Sequence, residues 1–184
     1  MWVYAKMRVS RKNILFLSLL SLFLATTSAS ADFAAGVAAY NRGDFKTAFK
    51  EFRRLALQGN AFAQYNLGLM YAKGRGVAQD YAQAVTWYRK AALQGNALAQ
   101  SNLGFMYENG RGVAQDYALA VKWYRKAALQ GFARAQSNLG VMYDKGQGVA
   151  QDYVQAHMWF NLAASRVTGE KHKKYSDARD LVAK

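Results

Sequence analysis

Asp80, Asp116 and Asp152, each ending a V-A-Q-D run, together with His157, His172 and a recurring G-x-G, are the residues that invite a chemical reading of this chain. A metal centre needs His, Cys or carboxylate ligands at short helical or turn spacing. The two histidines fall in different predicted elements, no carboxylate stands at ligand spacing from either, and the sequence has no cysteine. No metal site and no cofactor is therefore predicted. The G-x-G of KGRGVAQD lacks the Gly-Lys-Ser/Thr of a phosphate loop and follows a helical pattern instead of a strand, so it is a turn. Each aspartate precedes an apolar-periodic run, and Gln83 and Gln155 stand three residues after Asp80 and Asp152. That spacing predicts helix caps, with capping boxes in two of the three copies. His157 takes the place of Val85 and Val121 in its run, which predicts a partly buried structural histidine. No catalytic residue is predicted.

The elements that carry these residues are copies of one another. Segments beginning AQYNLGLMY at Ala63, AQSNLGFMY at Ala99 and AQSNLGVMY at Ala135 repeat at an interval of 36 residues. A unit of that length holds two helices, is too small to bury a core alone, and is stable only when stacked on its neighbours. Ala63, Leu67, Met70 and Tyr71 form one stripe of the first helix, with counterparts at Ala99 and Ala135. Glycines of Lys73-Gly74-Arg75-Gly76 and its counterparts end that helix in a turn. Tyr81, Ala84, Val85, Tyr88 and Ala91 make the buried face of the second. Gly68, Gly104 and Gly140 inside first helices predict close helix approach, and Trp87, Trp123 and Trp159 are read as packing at the joints between units in preference to a ligand platform.

The pattern A-x-x-N-L-G-x-M-Y, then G-x-G-V-x-x-D, then A-x-x-W-Y-x-K-A-A resembles the Sel-one-like repeats, relatives of the tetratricopeptide repeats. The resemblance implies an all-α, right-handed α-α superhelix with a concave surface lined by first helices, acting as an adaptor for protein partners. Three such repeats are placed at about 60–95, 96–131 and 132–167. Residues 32–59 resemble an ordinary tetratricopeptide unit through Gly36, Gly43-Asp44-Phe45, Ala48 and Phe52, and the segment 168–184 is placed as a capping helix through Tyr175, Ala178, Leu181 and Val182. Ser165-Arg166-Val167 replaces Leu-Gln-Gly in the last copy, and stacking is expected to stop there. A cysteine-rich branch of the family is associated with binding of penicillin-type ligands and, in some members, their hydrolysis. The absence of cysteine leaves that activity unassigned here, although an envelope enzyme or peptidoglycan-fragment binder stands as the alternative to a scaffold.

Positions that differ between copies mark what the repeat does not fix. On the first helix they are Phe62/Leu98/Arg134, Tyr65/Ser101/Ser137, Leu69/Phe105/Val141, Ala72/Glu108/Asp144 and Lys73/Asn109/Lys145, all on one helical face. Solvent exposure alone accounts for Ser101, Ser137 and Asp144. Phe62, Leu69, Leu98 and Phe105, rimmed by Lys73, Arg134 and Lys145, instead suggest a partner groove. Phe62, Tyr65, Leu69, Lys73, Leu98, Phe105, Arg134 and Val141 are the candidate contacts.

Charge and the N-terminus set the compartment. The 184 residues carry 25 Lys and Arg against 11 Asp and Glu, a net charge of +14. Lys6, Arg8, Arg11 and Lys12 precede an apolar run from Ile14 to Leu24 and the small-residue site Ala29-Ser30-Ala31. This is the pattern of a secretory signal cleaved between Ala31 and Asp32, too short in its apolar part to span a bilayer. Cleavage leaves 21 basic residues against 11 acidic ones, net +10, with no stable membrane span. A periplasmic or secreted bacterial protein is expected, which disfavours nucleic acid as a partner. An acidic protein surface or an anionic envelope polymer remains. Arg53, Arg54, Arg75, Arg89, Lys90, Arg111, Lys122, Arg125 and Lys126 are expected to form a basic convex side.

Overall fold

The structure, a computed structural model, describes residues 31–182; the expected signal segment lies outside the described residues apart from Ala31, which with Asp32 belongs to the first helix. That helix, α1, is described over 31–41. It is followed by α2 (Phe45–Leu57), α3 (Ala61–Lys73), α4 (Tyr81–Leu93), α5 (Ala97–Asn109), α6 (Tyr117–Leu129), α7 (Ala133–Lys145), α8 (Tyr153–Ser165) and α9 (Gly169–Val182). Helices pack in sequence order, α3 on α4, α5 on α6 and α7 on α8 as hairpins, with α2 on α3, α4 on α5 and α6 on α7 as the joints between them. This is an all-α solenoid of helical hairpins. None of the described helices is long and apolar enough to cross a membrane.

Caps and turns explain why the 36-residue unit folds twice on itself. Asp80, Asp116 and Asp152 accept from the backbone N–H of Gln83, Leu119 and Gln155 at 2.8–2.9 Å, the orphan donors of α4, α6 and α8. The expected reciprocal box does not form. The aspartate N–H groups donate instead to Tyr71, Tyr107 and Tyr143 carbonyls at 3.0 Å, so the loop is closed onto the preceding helix and the glutamine side chain is not needed. First helices end at Gly74, Gly110 and Gly146 in the left-handed conformation, φ 62–64°. Asn60 and Asn96 cap α3 and α5 through Ala63 and Ala99 N–H at 2.9 Å, whereas Phe132 occupies that position before α7 and makes no such bond.

The two stripes meet, although Tyr71 and Tyr81, expected buried, are half-buried and Tyr153, at the position of Tyr81 in the last copy, is exposed. Leu67, Leu103 and Leu139 and Ala84, Ala120 and Ala156 are fully enclosed. A Cβ on Gly104 would lie 2.7 Å from the Tyr124 ring, which is the close approach that keeps glycine inside this helix. Trp87 packs in the cluster made by α2 and α3, across a joint, and Lys90 and Lys126 set their ammonium groups 4.3 and 4.9 Å from the Trp87 and Trp123 ring centres.

At the C-terminus α9 covers α8 through Tyr175, which is buried with Ala163 and Ala164. Leu181, expected in the capping stripe, is instead exposed. His157 is exposed too, not partly buried: Val85 and Val121 are covered by the next hairpin, whereas among the described residues α8 is followed by the single helix α9, which leaves His157 uncovered. His172 Nδ1 lies 3.0 Å from the Ala164 carbonyl oxygen.

Candidate binding cleft

First helices supply the inner wall of the solenoid, and a cleft of about 430 Å³ opens on it. α3 contributes Leu69, Ala72 and Lys73, α5 contributes Asn102, Phe105 and Met106, and α7 contributes Arg134, Ser137 and Asn138. Tyr81 and Tyr88 of α4, Arg111 from the turn after α5, and Lys174 and Tyr175 of α9 complete it. Three successive first helices thus place every third or fourth residue on one surface, which is what a 36-residue period with fixed helix length produces.

Four of the eight residues predicted from sequence, Leu69, Lys73, Phe105 and Arg134, line this cleft. Tyr65 sits behind it, half-buried, with its ring 6.0 Å from that of Tyr88. Phe62 is 60% exposed at the N-terminal end, its ring 6.2 Å from that of Phe33, and is not part of the lining. Leu98 and the half-buried Val141 also lie outside the lining. Ser101, expected at the surface, is fully buried, so the variable face is not uniformly open.

Asn102, Asn138, Tyr81, Arg111 and Lys174 were not singled out as site residues. Asn102 and Asn138 recur with Asn66 at the same position of every copy, so they are not among the positions that vary between repeats. Their signal was a polar side chain kept in the middle of a buried stripe. Arg111 and Arg75 correct the expected convex charge. Both follow the turn that ends a first helix, which returns them toward that helix's side. Arg111 lies 5.3 Å from the Phe105 ring centre and 5.7 Å from that of Tyr81. Arg75 stands over Tyr40 and Phe45 and donates to the Tyr40 hydroxyl at 2.5 Å. Arg54 is engaged with Asp32 and Glu51 at 2.9 and 3.1 Å.

The cleft is electropositive and partly apolar. Lys73, Arg111, Arg134 and Lys174 line it, and no Asp or Glu is among its lining residues. Arg134 donates to the Asn102 side-chain oxygen. Burial pushes the Tyr88 phenol up, so it is a neutral hydrogen-bonding group at physiological pH. Burial likewise raises Tyr65, with Arg134 pulling in the opposite direction. Among the described residues no cluster of His, Cys, Asp and Glu could hold a metal ion.

The Sel1 repeat family model matches residues 61–96, 97–132 and 133–166, well over half of the sequence. The chain belongs to the Sel1 repeat family. Among solved structures this Sel1 repeat protein is similar to a protective antigen of uropathogenic Escherichia coli strains with an SLR fold, at 45% identity and TM-score 0.74 over 83% of this chain and 33% of that one. It is also similar to a Sel1 repeat protein from Oxalobacter formigenes, at 36% identity and TM-score 0.74 over 80% of this chain and 59% of the other. Helicobacter pylori cysteine rich protein B shares the fold at 22% identity and TM-score 0.56, over 71% of this chain and 94% of that one. The chain therefore spans about a third and about three-fifths of the length of the first two. No curated protein matches the sequence.

Proposed function

We propose that this Sel1 repeat protein is an exported scaffold whose cleft receives an acidic segment of a partner protein. Sel1 repeat proteins are generally protein–protein interaction scaffolds. The observation that carries the finer reading is the set of four cations, Lys73, Arg111, Arg134 and Lys174, converging on one cleft without a lining carboxylate and beside the apolar Leu69 and Phe105. Carboxylates entering such a site gain charge-assisted hydrogen bonds, and the four exposed cations around it lose mutual repulsion. Apolar side chains of the same segment have Leu69 and Phe105 to bury against. Export rests on the basic region, the apolar run Ile14 to Leu24 and the Ala29-Ser30-Ala31 site.

The test is crosslinking and affinity capture from the native envelope, with a Lys73→Glu/Lys174→Glu variant beside the parent. A protein captured through an acidic segment by the parent and lost in the variant is the expected result. Equal capture by both overturns the cleft reading, and recovery of a glycan or other anionic polymer in place of protein overturns the partner class. Mass spectrometry of the secreted chain is expected to find Asp32 at its N-terminus.

A further inference from the structure

The outer helices α2, α4 and α6 end in the same exposed triplet. Arg53 and Arg54, Arg89 and Lys90, and Arg125 and Lys126 stand four and three residues before Leu57, Leu93 and Leu129. Residues three and four apart are neighbours on a helix surface, so each leucine is flanked by two cations on one face. The leucines are 64, 70 and 74% exposed. α4 and α6 contain no Asp or Glu, and Glu51 of α2 is held by Arg54 at 3.1 Å. Among the described residues the other cations of these pairs form no ion pair; Arg89 and Arg125 donate to the neutral Tyr107 and Tyr143 hydroxyls at 2.8 and 2.7 Å. On α6 the triplet borders a shallow depression of about 330 Å³, where Lys122 joins Arg125 and Lys126 beside the aliphatic Val121, Leu129 and Val149, with no carboxylate in the lining. The last repeat loses leucine and cations together, since Asn161, Leu162 and Ser165 stand at these positions of α8.

We propose that these ends of α2, α4 and α6 rest on an anionic phospholipid surface, the leucines entering the acyl boundary while the cations stay at the phosphates. Charge selects the occupant. The face is basic on a chain of net charge +14, so an anionic surface gains from meeting it and a second copy of the chain is repelled. An acidic protein would meet the same cations, but a protein interface is built on a contiguous desolvated apolar centre, and here each leucine stands among charges one repeat away from the next. A bilayer needs no such centre. Single aliphatic side chains enter between headgroups one by one, and Lys and Arg lay their stems along the boundary with the charged heads in water. The depression on α6 combines the same two elements, cations for a phosphate and aliphatic side chains for the chain below it. First helices line the opposite, inner wall, so the cleft stays open while the outer helices are in contact.

Co-sedimentation with vesicles of equal parts phosphatidylcholine and phosphatidylglycerol, beside vesicles of phosphatidylcholine alone, tests this on the protein expressed from its whole sequence, its N-terminus defined by mass spectrometry. Leu93→Ser/Leu129→Ser and Arg89→Asn/Arg125→Asn give α4 and α6 the residues that α8 carries at the same positions, so helical circular dichroism should not change. The parent is expected to bind the anionic vesicles, to leave the neutral ones, and to be released by salt. The leucine variant should lose most of this binding and keep its salt dependence, and the arginine variant should lose binding with a shallower salt dependence. A parent that does not bind the anionic vesicles, or binds the neutral ones equally, overturns the proposal. A leucine variant that binds as the parent does overturns it as well, because attraction is then diffuse and nothing enters the bilayer. So does a Lys73→Glu/Lys174→Glu variant that loses vesicle binding as fully as the arginine variant, since the anion site is then the cleft.

Discussion

Gln94 donates from one side-chain nitrogen to both the Gly59 carbonyl oxygen at 3.0 Å and the side-chain oxygen of Gln64 at 2.8 Å. Gln64, buried at the start of α3, donates in turn to the Ala56 carbonyl of α2 at 3.1 Å. The same relay ties Gln130 to Gly95 and Gln100, and Gln100 to Ala92. It fastens the end of each second helix to the joint that precedes it. In the last copy Gln136 still donates to Ala128, but Arg166 stands where Gln94 and Gln130 stood, and the buried Gln136 oxygen has no donor among the described residues.

Arg166→Gln is therefore expected to stabilise the protein by about 1 kcal/mol, the net value of one hydrogen bond that also satisfies a buried acceptor. Gln94→Ala is expected to cost about 1–3 kcal/mol, because it strands the Gln64 oxygen. Urea unfolding of the two variants checks both signs.

Gly104→Ala sets two effects against each other. Alanine gains about 1 kcal/mol of helix propensity over glycine, while overpacking a tight core costs about 1–3 kcal/mol. The new Cβ would lie 2.7 Å from the Tyr124 ring, and that ring is held by a 2.5 Å bond from its hydroxyl to Glu108. The ring cannot swing away without breaking this bond, so the clash wins. A lowered urea midpoint is expected, and a raised one would mean that the α5–α6 crossing has room to spare.

Alkaline stability should report on Tyr88 and Tyr124. Burial raises both phenols above the ordinary value of 10.0, and for Tyr124 the Glu108 carboxylate adds to the rise. The folded state then holds protons that the unfolded chain releases, so their contribution is fully present below pH 10 and is lost as pH rises beyond it. Each such tyrosine steepens the loss by about 1.4 kcal/mol per pH unit. Tyr124→Phe copies Phe160 of the next repeat, so it should fold and show a shallower decline above pH 10 when unfolding is followed by urea titration at several pH values.

The hairpins were legible because they are set by short-range chemistry repeated three times: Asp80 before its helix, Gly74 after the other, and Gly68 against the Tyr88 ring. The glutamine relay was not, since Gln64 and Gln94 lie 30 residues apart and each looks like a surface amide by itself. The cleft was half legible. Leu69 and Phe105 show as variable apolar positions, but the cleft also takes Arg111 from a turn and Lys174 from a helix outside the repeat. Which way a turn residue points depends on the backbone path after Gly110, and the approach of α9 depends on where stacking ends. His157 failed for the same reason, because a position is buried only if a next hairpin exists to cover it.

Arg111 and Phe105 should act as one unit in binding. The guanidinium lies close to both the Phe105 and Tyr81 rings at the cleft, at a gain of about 0.5–1 kcal/mol for a cation over a ring at an exposed site. Phe105→Ala removes one of these two ring partners as well as apolar contact, and Arg111→Gln removes the charge itself. Loss of captured partner in the double variant should therefore be smaller than the product of the two single losses, a coupling that calorimetric titration of the four proteins measures directly. Arg111→Lys keeps the charge and should still weaken binding, because an ammonium lacks the planar fork that both stacks and grips a carboxylate. Strict additivity, with Arg111→Lys equal to the parent, would show that Phe105 meets the partner on its own and that Arg111 is only a diffuse charge at the rim.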